Sequence, residues 1–491
     1  QFKEDLSITN WSINPHIVWK NFTFSGLIWE TKEYEGYFYI PQKRFGRYTE
    51  WFYRRYAFTA SYDYEKKLSG IYKNLLTKTT LSYRKHMILD GLKESSFKYK
   101  TSSSNGYEEI DPANSSTFQF QPDFINGIFS GAGKIYYYDE LWAKEIALEE
   151  QINLTFSNNA DVIIGGVYSN VNSQKDYIFS TVLPVIPAPE GTERVLKKNI
   201  ATYNQITYPF EKLGILTIGS RYEMSYEKLE SQQSMSELYH IFVPRAAFLL
   251  NSIDKWIFRF QYGKAFQAAD DWHKYATDPG VRNYPSLDLQ PEKITSYEIS
   301  ATFIPFGEML VTASIFKNDI DNLISPGIDV NDNPYYTNKS KAEIIGYEIS
   351  YRYNIKNTFI IDANFSGAKN EDGNGREIGD IAKIKANIGV MCRFFENSLQ
   401  ITPKINYVGK KLSYGRGLKP SSVEKVDDYA ILGINCRYLL KGTGLEFNIK
   451  IDNLLNKKYY NPGPREADGS KYPAKVLQPG FNMLIGIRYR I

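Results

Sequence analysis

The sequence predicts an all-β chain that forms a transmembrane antiparallel β-barrel, and three observations carry that prediction. Apolar and polar residues alternate strictly in one segment after another. The connections between these segments are by turns short and long. No stretch approaches the roughly 18 consecutive apolar residues that a membrane-crossing helix needs, yet barrel strands need only one apolar face, so a mean hydropathy of -0.42 is compatible with a membrane protein.

The alternation is clearest toward the C-terminus. In Leu445-Glu446-Phe447-Asn448-Ile449-Lys450-Ile451-Asp452 every odd residue is apolar and every even one polar. Trp256, Phe258, Phe260 and Tyr262 alternate with Ile257, Arg259, Gln261 and Gly263, and Leu399, Ile401, Ile405 and Tyr407 with Gln400, Thr402, Lys404 and Asn406. Phe481, Met483, Ile485, Ile487, Tyr489 and Ile491 form the apolar set of the last segment, against Asn482, Gly486, Arg488 and Arg490. A period of two puts each set on its own face of a strand. Segments of about ten residues cross a bilayer when tilted. About nineteen of them can be counted back from Ile491 to the neighbourhood of Leu6.

A soluble sandwich or propeller also alternates, and connection lengths separate the readings. The long connections cover 456–477, 410–426, 368–379, 321–342, 264–290, 227–238, 169–193 and 86–139. Between them fall tight turns at 441–444, 395–397, 354–357, 305–308, 251–254, 211–214, 157–160 and 65–68. Outer-membrane barrels have short periplasmic turns and longer extracellular loops, whereas a sandwich has no reason to gather its long loops at one end. On this reading 102–105 and 413–421 are extracellular. Phe306, Tyr353, Phe394 and Tyr438 sit beside short turns and Tyr489 beside the C-terminus, where an aromatic girdle is expected.

Composition narrows function. Aromatics make up 15% of the 491 residues, with 39 Tyr, as suits pleated surfaces. The 59 basic and 55 acidic residues nearly cancel, and no basic tract speaks for a nucleic-acid partner. Cys392 and Cys436 lie in strand-like segments and are expected to be free, and the four His (His16, His86, His240, His273) lack metal-ligand spacing. Neither a cofactor nor a metal is expected. An outer-membrane enzyme would need a Ser/His or Asp/His constellation at a strand end; the four His are scattered and no G-x-S-x-G elbow is present, which speaks against that class. A passive porin stays open as an alternative from the residues alone.

A series of motifs resembles TonB-dependent outer-membrane receptors, in that family's order. Pro244-Arg245-Ala246 is similar to a strand opening with a Pro-Arg pair; Tyr262-Gly263-Lys264-Ala265-Phe266-Gln267-Ala268 resembles "YGxxFRAP", with Gln267 in place of Arg and Ala269 in place of Pro. Leu287-Asp288-Leu289-Gln290-Pro291-Glu292-Lys293 is similar to "NPxLKPE", followed by Tyr297-Glu298. Phe316-Lys317-Asn318-Asp319-Ile320-Asp321-Asn322-Leu323-Ile324, then Gly346-Tyr347-Glu348, continue the series. Ile451-Asp452-Asn453-Leu454-Leu455-Asn456-Lys457-Lys458-Tyr459-Tyr460 resembles "NLFDKKY", and Pro479-Gly480 opens the final strand. Such a series of motifs, in order over some 250 residues, makes a specific pattern. Relatives commonly end in Phe where this chain has Ile491.

The resemblance implies a barrel of the 22-stranded receptor type with a plug inside. With about nineteen strands, no plug, no coupling segment and no signal before Gln1, residues 1–491 are expected to be a partial barrel domain truncated at the N-terminus. The implied function is ligand-gated active import across the outer membrane by a monomer embedded in outer-membrane lipid, energised by a TonB-type periplasmic protein acting through the plug. The implied ligand is a small molecule such as an iron-siderophore or other metal chelate. Arg259, Glu298, Glu348, Arg437, Lys450, Asp452, Arg488 and Arg490 are expected to line the lumen and face the plug. In haem-importing relatives a loop His ligates iron. The corresponding loop here carries His273, flanked by Asp270, Asp271, Trp272, Lys274 and Tyr275, with Arg282 further on. His273, Trp272, Tyr275 and Arg282 are therefore candidate ligand contacts, although Gln267 departs from the haem-type pattern. An aromatic and charged extracellular loop suits a polar, flat ligand.

Overall fold

A computed structural model describes residues 9–34, 50–88, 92–96, 134–138, 141–174, 179–181, 194–275, 286–328, 334–414, 423–462 and 475–489. Nearly all of them are strand. The first spanning strand, β1, is built from Thr9–Ile13 and His16–Trp19, which pair with one partner in a single register across Asn14 and Pro15. The Pro15 carbonyl accepts a bond from the Gly26 N–H, and a Cβ at Gly26 would stand 2.9 Å from Pro15 Cγ, so only glycine admits this approach. The wall continues through β2 (Phe22–Tyr34), β3 (Glu50–Lys67), β4 (Tyr72–Ile88), β5 (Leu141–Phe156), β6 (Asp161–Gln174), β7 (Arg194–Phe210) and β8 (Gly214–Leu229). Then come β9 (Ser236–Leu250), β10 (Trp256–Gln267), β11 (Glu292–Phe303), β12 (Met309–Ile328), β13 (Pro334–Ile355) and β14 (Phe359–Asp372). It ends with β15 (Ile384–Phe394), β16 (Leu399–Val408), β17 (Tyr429–Leu440), β18 (Leu445–Asp452) and β19 (Asn482–Tyr489). Each strand pairs antiparallel with the next in sequence, which gives one up-and-down sheet of nineteen spanning strands.

One end of this wall carries nine turns of two to five residues, after every odd-numbered strand. All eight tight turns expected from the sequence lie at this end. The one expected at 65–68 sits at 68–71, because Glu65, Lys66 and Lys67 stay paired with Leu76, Leu75 and Asn74. The ninth, Lys20 and Asn21, was not expected. Residues that tolerate left-handed backbone mark these turns, among them Asn159, Asn357 and Asn397 at φ 61, 57 and 69.

Connections at the other end are mostly long, but two expected loops shrink. Strand pairing runs to Leu229 and resumes at Ser236, and β12 and β13 extend to Ile328 and from Pro334, so they are 20 and 22 residues long. The reason is that a hairpin goes on exchanging backbone hydrogen bonds after its apolar alternation has ended. The expected loop sites 102–105 and 415–421 lie outside the described residues.

The two faces of the wall differ as the alternation demands. Tyr208, Leu216, Phe248, Phe260, Ile299, Ile315 and Tyr347 are successive cross-strand partners from β7 to β13, an unbroken apolar row on the outer face. Along β13 the outward residues Ile345, Tyr347, Ile349, Tyr351 and Tyr353 are apolar or aromatic, and along β14 so are Phe359, Ile361, Ala363 and Phe365 with Gly367. Each band is nine residues long, about 30 Å along a strand and roughly 20–25 Å high once tilted, which is the hydrocarbon band of an outer-membrane barrel. Above it the same face turns charged: Lys317 bridges Glu343 (2.7 Å) and Asp319 (3.2 Å), and Lys369 bridges Glu371 (2.8 Å).

Rings cluster at the short-turn edge of the band, as the girdle expectation requires. Phe306 meets Tyr353 with centroids 5.6 Å apart, Trp256 meets Phe303 at 4.5 Å, and Tyr72 meets Phe156 at 5.4 Å. Cys392 and Cys436 are both free; they flank Ile401 on the outer face. No helix among the described residues is long and apolar enough to cross a membrane, and crossing by strands is a separate matter.

Candidate functional site

The inner wall is a polar surface held in order by cross-strand bonds. Arg259, Ser300, Ser314, Glu348, Ser366 and Lys385 are successive partners across six strands, the lumen-side counterpart of the apolar row. Arg259 Nη2 donates to Glu298 Oε1 at 3.1 Å, while Glu348 is exposed and has no ion pair among the described residues. Near the last strands Glu446, 3% exposed, accepts from Arg437 at 2.6 Å and from Asn448 at 3.1 Å, with Arg488 at 3.7 Å. Asp452 stands between Lys450 (2.8 Å) and Lys404 (3.2 Å). Further round, Tyr203 donates to Glu149 at 2.7 Å and Tyr239 to Glu223 at 3.1 Å, with Arg221 on the same Glu223 at 2.6 Å. The Tyr203 ring lies over Gly165, where a Cβ would fall 2.2 Å from the ring, so glycine makes the reach to Glu149 possible.

The first part of the connection after β10, residues 268–275, turns inward. Its one-turn helix, α1 (Asp271–Tyr275), is capped by Asp270, whose Oδ1 accepts from the His273 N–H at 2.7 Å. Asp271 is bound by Lys197 on β7 and by Ser173 on β6 (2.6 Å), and Lys274, only 1% exposed, by Glu227 on β8. Ser173, Lys197 and Glu227 all face inward, so α1 reaches across from β10 to the lumen side of β6–β8. Burial presses the Lys274 ammonium below its ordinary pKa, and the Glu227 carboxylate offsets only part of this. Burial also tends to raise the Asp270 carboxyl, but the His273 hydrogen bonds outweigh it and hold the group below its ordinary value.

A second set of bonds fixes the far end of the same connection. Ser286 N–H donates to the Lys274 carbonyl (2.8 Å), and Ser286 Oγ accepts from Tyr336 N–H (2.9 Å). Gln290 N–H donates to Asn338 Oδ1 (2.7 Å), whose Nδ2 donates back to Gln290 O (2.9 Å) and to Asn322 O (2.7 Å). Glu292 Oε1 accepts from Ile324 N–H at 2.7 Å. The segments 287–293 and 316–324, singled out as motifs, therefore interlock at the rim. The motif at 451–460 does the same for the last connection: Asn453, 2% exposed, donates to Lys457 O (2.8 Å) and Pro479 O (3.3 Å) and accepts from Lys457 N–H (2.8 Å).

A model of the TonB dependent receptor-like β-barrel family matches residues 6–454. The chain belongs to this family. As a TonB-dependent receptor barrel it lies in the outer membrane, and the family and its structural neighbours are receptors, not enzymes. No curated protein matches it. Among solved structures it is similar to the pyoverdine outer-membrane receptor of Pseudomonas aeruginosa PAO1, at 12% identity, TM-score 0.69, covering 99% of this chain and 71% of that one. The ferric-catecholate import receptor of Escherichia coli K12 is 14% identical with TM-score 0.63, covering 98% and 74%. A copper transporter is 13% identical with TM-score 0.70, covering 98% and 71%. Identities this low speak for the fold alone. The chain spans 61% of the length of the chain it matches in the FpvAI–pyocin S2 complex.

Within this receptor barrel the sequence-selected residues divide into three groups. Arg259, Glu298, Glu348, Arg437, Lys450, Asp452 and Arg488 share the inner face, and Arg490 lies outside the described residues. His273 sits in α1 with Nδ1 2.8 Å from Asp270 and its ring edge-on to Tyr336 at 4.5 Å. Tyr275 is buried at 4% exposure beneath Lys274, so it presents no surface to a solute in this arrangement. The Trp272 side chain and Arg282 lie outside the described residues. Sequence reading passed over Glu446, Lys404 and Tyr203, although each stands on the polar side of an alternating segment. It had no means of finding a pocket made where three connections meet, formed by Asp380, Lys385, Lys411, Tyr429 and Asn461.

Proposed function

We propose that this barrel belongs to an importer that takes a scarce small solute, such as a metal chelate, from outside the cell and passes it through the lumen by active transport. A TonB-type periplasmic protein supplies the energy in this reading. The long-loop rim faces the medium, and residues 1–491 form a barrel domain. The observation that carries it is the combination, in a chain of this family, of a lipid-type outer band with a polar inner wall and an inward-folded connection at the rim. The similar structures lend support, since they are a pyoverdine receptor, a ferric-catecholate import receptor and a copper transporter.

The test uses cells in which the full-length receptor is the sole uptake route, supplied with radiolabelled ferric chelates of the hydroxamate and catecholate classes. Accumulation of one class against its gradient, abolished by a protonophore, is the expected result. Accumulation that stops at the external concentration and ignores the protonophore would mean a passive pore instead.

A further inference from the structure

At the long-loop end, separate from α1, a cavity of about 470 Å³ opens where three connections converge. Asp380 comes from the connection after β14, Lys411 from that after β16, and Asn461 from that after β18; Lys385 and Tyr429 stand at the ends of β15 and β17. Lys385 is the last residue of the inward row that begins at Arg259, so the cavity lies on the lumen side.

Its chemistry is cationic and pre-set. Lys411 Nζ donates to Asn461 Oδ1 at 2.8 Å and lies 5.6 Å from the centre of the Tyr429 ring. The Tyr429 hydroxyl donates to the same Asn461 oxygen at 3.1 Å, which fixes the amide and aims the ammonium. One donor of Lys411 is thus engaged, of the three an ammonium carries. Lys385 is exposed and has no ion pair among the described residues. Burial and the charge of Lys385 both press the Lys411 pKa downward, while Asp380 acts the other way. An incoming anion relieves that crowding of like charge, and the Asp380 carboxylate, an acceptor in the same lining, suits a solute with hydroxyls next to its anionic group. Val408 and Pro462 give the cavity an apolar edge for a carbon skeleton.

We propose that this cavity binds the anionic end of an imported solute, a carboxylate or phosphate on a hydroxylated skeleton, between Lys385 and Lys411. The proposal rests on the import reading for its role in transport, but the binding it asserts is measured separately. The full-length receptor, in detergent micelles at low salt, is titrated calorimetrically with glucuronate, glucose 6-phosphate and uncharged glucose.

At least one of the two anions binds, glucose does not, and the anion that binds tells carboxylate from phosphate. Lys385→Met and Lys411→Met each weaken binding about tenfold or more, the loss expected for a charge-assisted contact worth roughly 1.4 kcal/mol. Lys369→Met on the outer face leaves it unchanged. Since Lys385 is exposed and makes no ion pair or side-chain hydrogen bond among the described residues, its variant separates loss of binding from misfolding. No binding of either anion, or equal binding by wild type and the Lys385 variant, overturns the proposal. Anion binding without chelate uptake contradicts the import reading and leaves the site standing.

Discussion

Replacing Ile349 by arginine tests the outer face at its most demanding point. Ile349 is the middle of the nine-residue band on β13, paired on the same face with Ala313 and Phe365, and 44% exposed on the side assigned to lipid. A guanidinium at the bilayer midplane of a β-barrel costs about 2–4 kcal/mol, and near an interface about 0–1 kcal/mol. Ile349→Arg is therefore expected to shift the folding equilibrium by roughly two orders of magnitude. Two controls bracket it. Thr295→Arg lies on the same face but above the band, beside Lys264 and Asp319, and is expected to cost about 0–1 kcal/mol. Glu348→Arg is one residue away, on the lumen side next to Ser314 and Ser366, where water solvates the charge. The assay is reversible urea unfolding of the full-length receptor from phospholipid vesicles, followed by tryptophan fluorescence. Should Ile349→Arg prove no more destabilising than Glu348→Arg, the outer face is not a lipid face and the argument from alternation fails.

Three further outcomes follow from particular contacts. Glu227→Gln leaves the nearly buried Lys274 ammonium without its carboxylate, and losing one partner of such a pair costs about 3–5 kcal/mol. Hydrogen exchange at His273, Lys274 and Tyr275 should then accelerate to the rate of an undocked segment while the wall strands stay protected. Asn453→Ala removes three hydrogen bonds, each worth about 1 kcal/mol, and puts a Cβ residue without a capping amide at φ 52. A lowered urea midpoint, with early exchange at 475–489, is expected; an unchanged midpoint would deny Asn453 its anchoring role. Asp270 has its pKa held below the ordinary 3.8, so its support for α1 is present above that pH and lost as pH falls through the lower folded value. Pepsin should cut the α1 connection increasingly as pH drops below 3.8 while sparing the wall, and Asp270→Asn should abolish that pH dependence.

Much of the wall was legible because period-two alternation is a local property. Leu445 to Asp452 alone shows which residues face lipid and which face the lumen, and their pairing with β19 obeys it. Tight turns were legible because Gly442, Asn357 and Asn159 tolerate backbone that other residues avoid. Strand ends were less so. In 317–328 charged and apolar residues no longer alternate, yet the ladder with β13 continues through two register shifts. The inner wall was half legible: parity selects Arg259, Glu298 and Arg437, but gives no reason to prefer Arg437 over Glu446, the residue it grips. What lay beyond sequence reading was convergence in space. The partners of α1 stand 47 to 98 residues upstream of it. Lys385, Lys411 and Asn461 meet only because neighbouring strands carry their connections to one rim. The motif residues Gln290 and Asn322 drew attention as a family pattern; the structure shows Asn338, which belongs to no motif, bonding both of them.

The direction in which each face of the wall points is open to direct chemical test. Single cysteines at Asn374, Lys212, Ile349 and Glu348, in a full-length receptor whose Cys392 and Cys436 are replaced by alanine, examine all sides at once. On intact cells a membrane-impermeant maleimide is expected to label Asn374→Cys at the long-loop end and not Lys212→Cys in the short turn after β7. In reconstituted vesicles a lipid-dissolved reagent is expected to reach Ile349→Cys, and a water-soluble one Glu348→Cys. Surface labelling of Lys212→Cys without Asn374→Cys, or exchange of the two reagents between positions 348 and 349, would contradict the barrel described here.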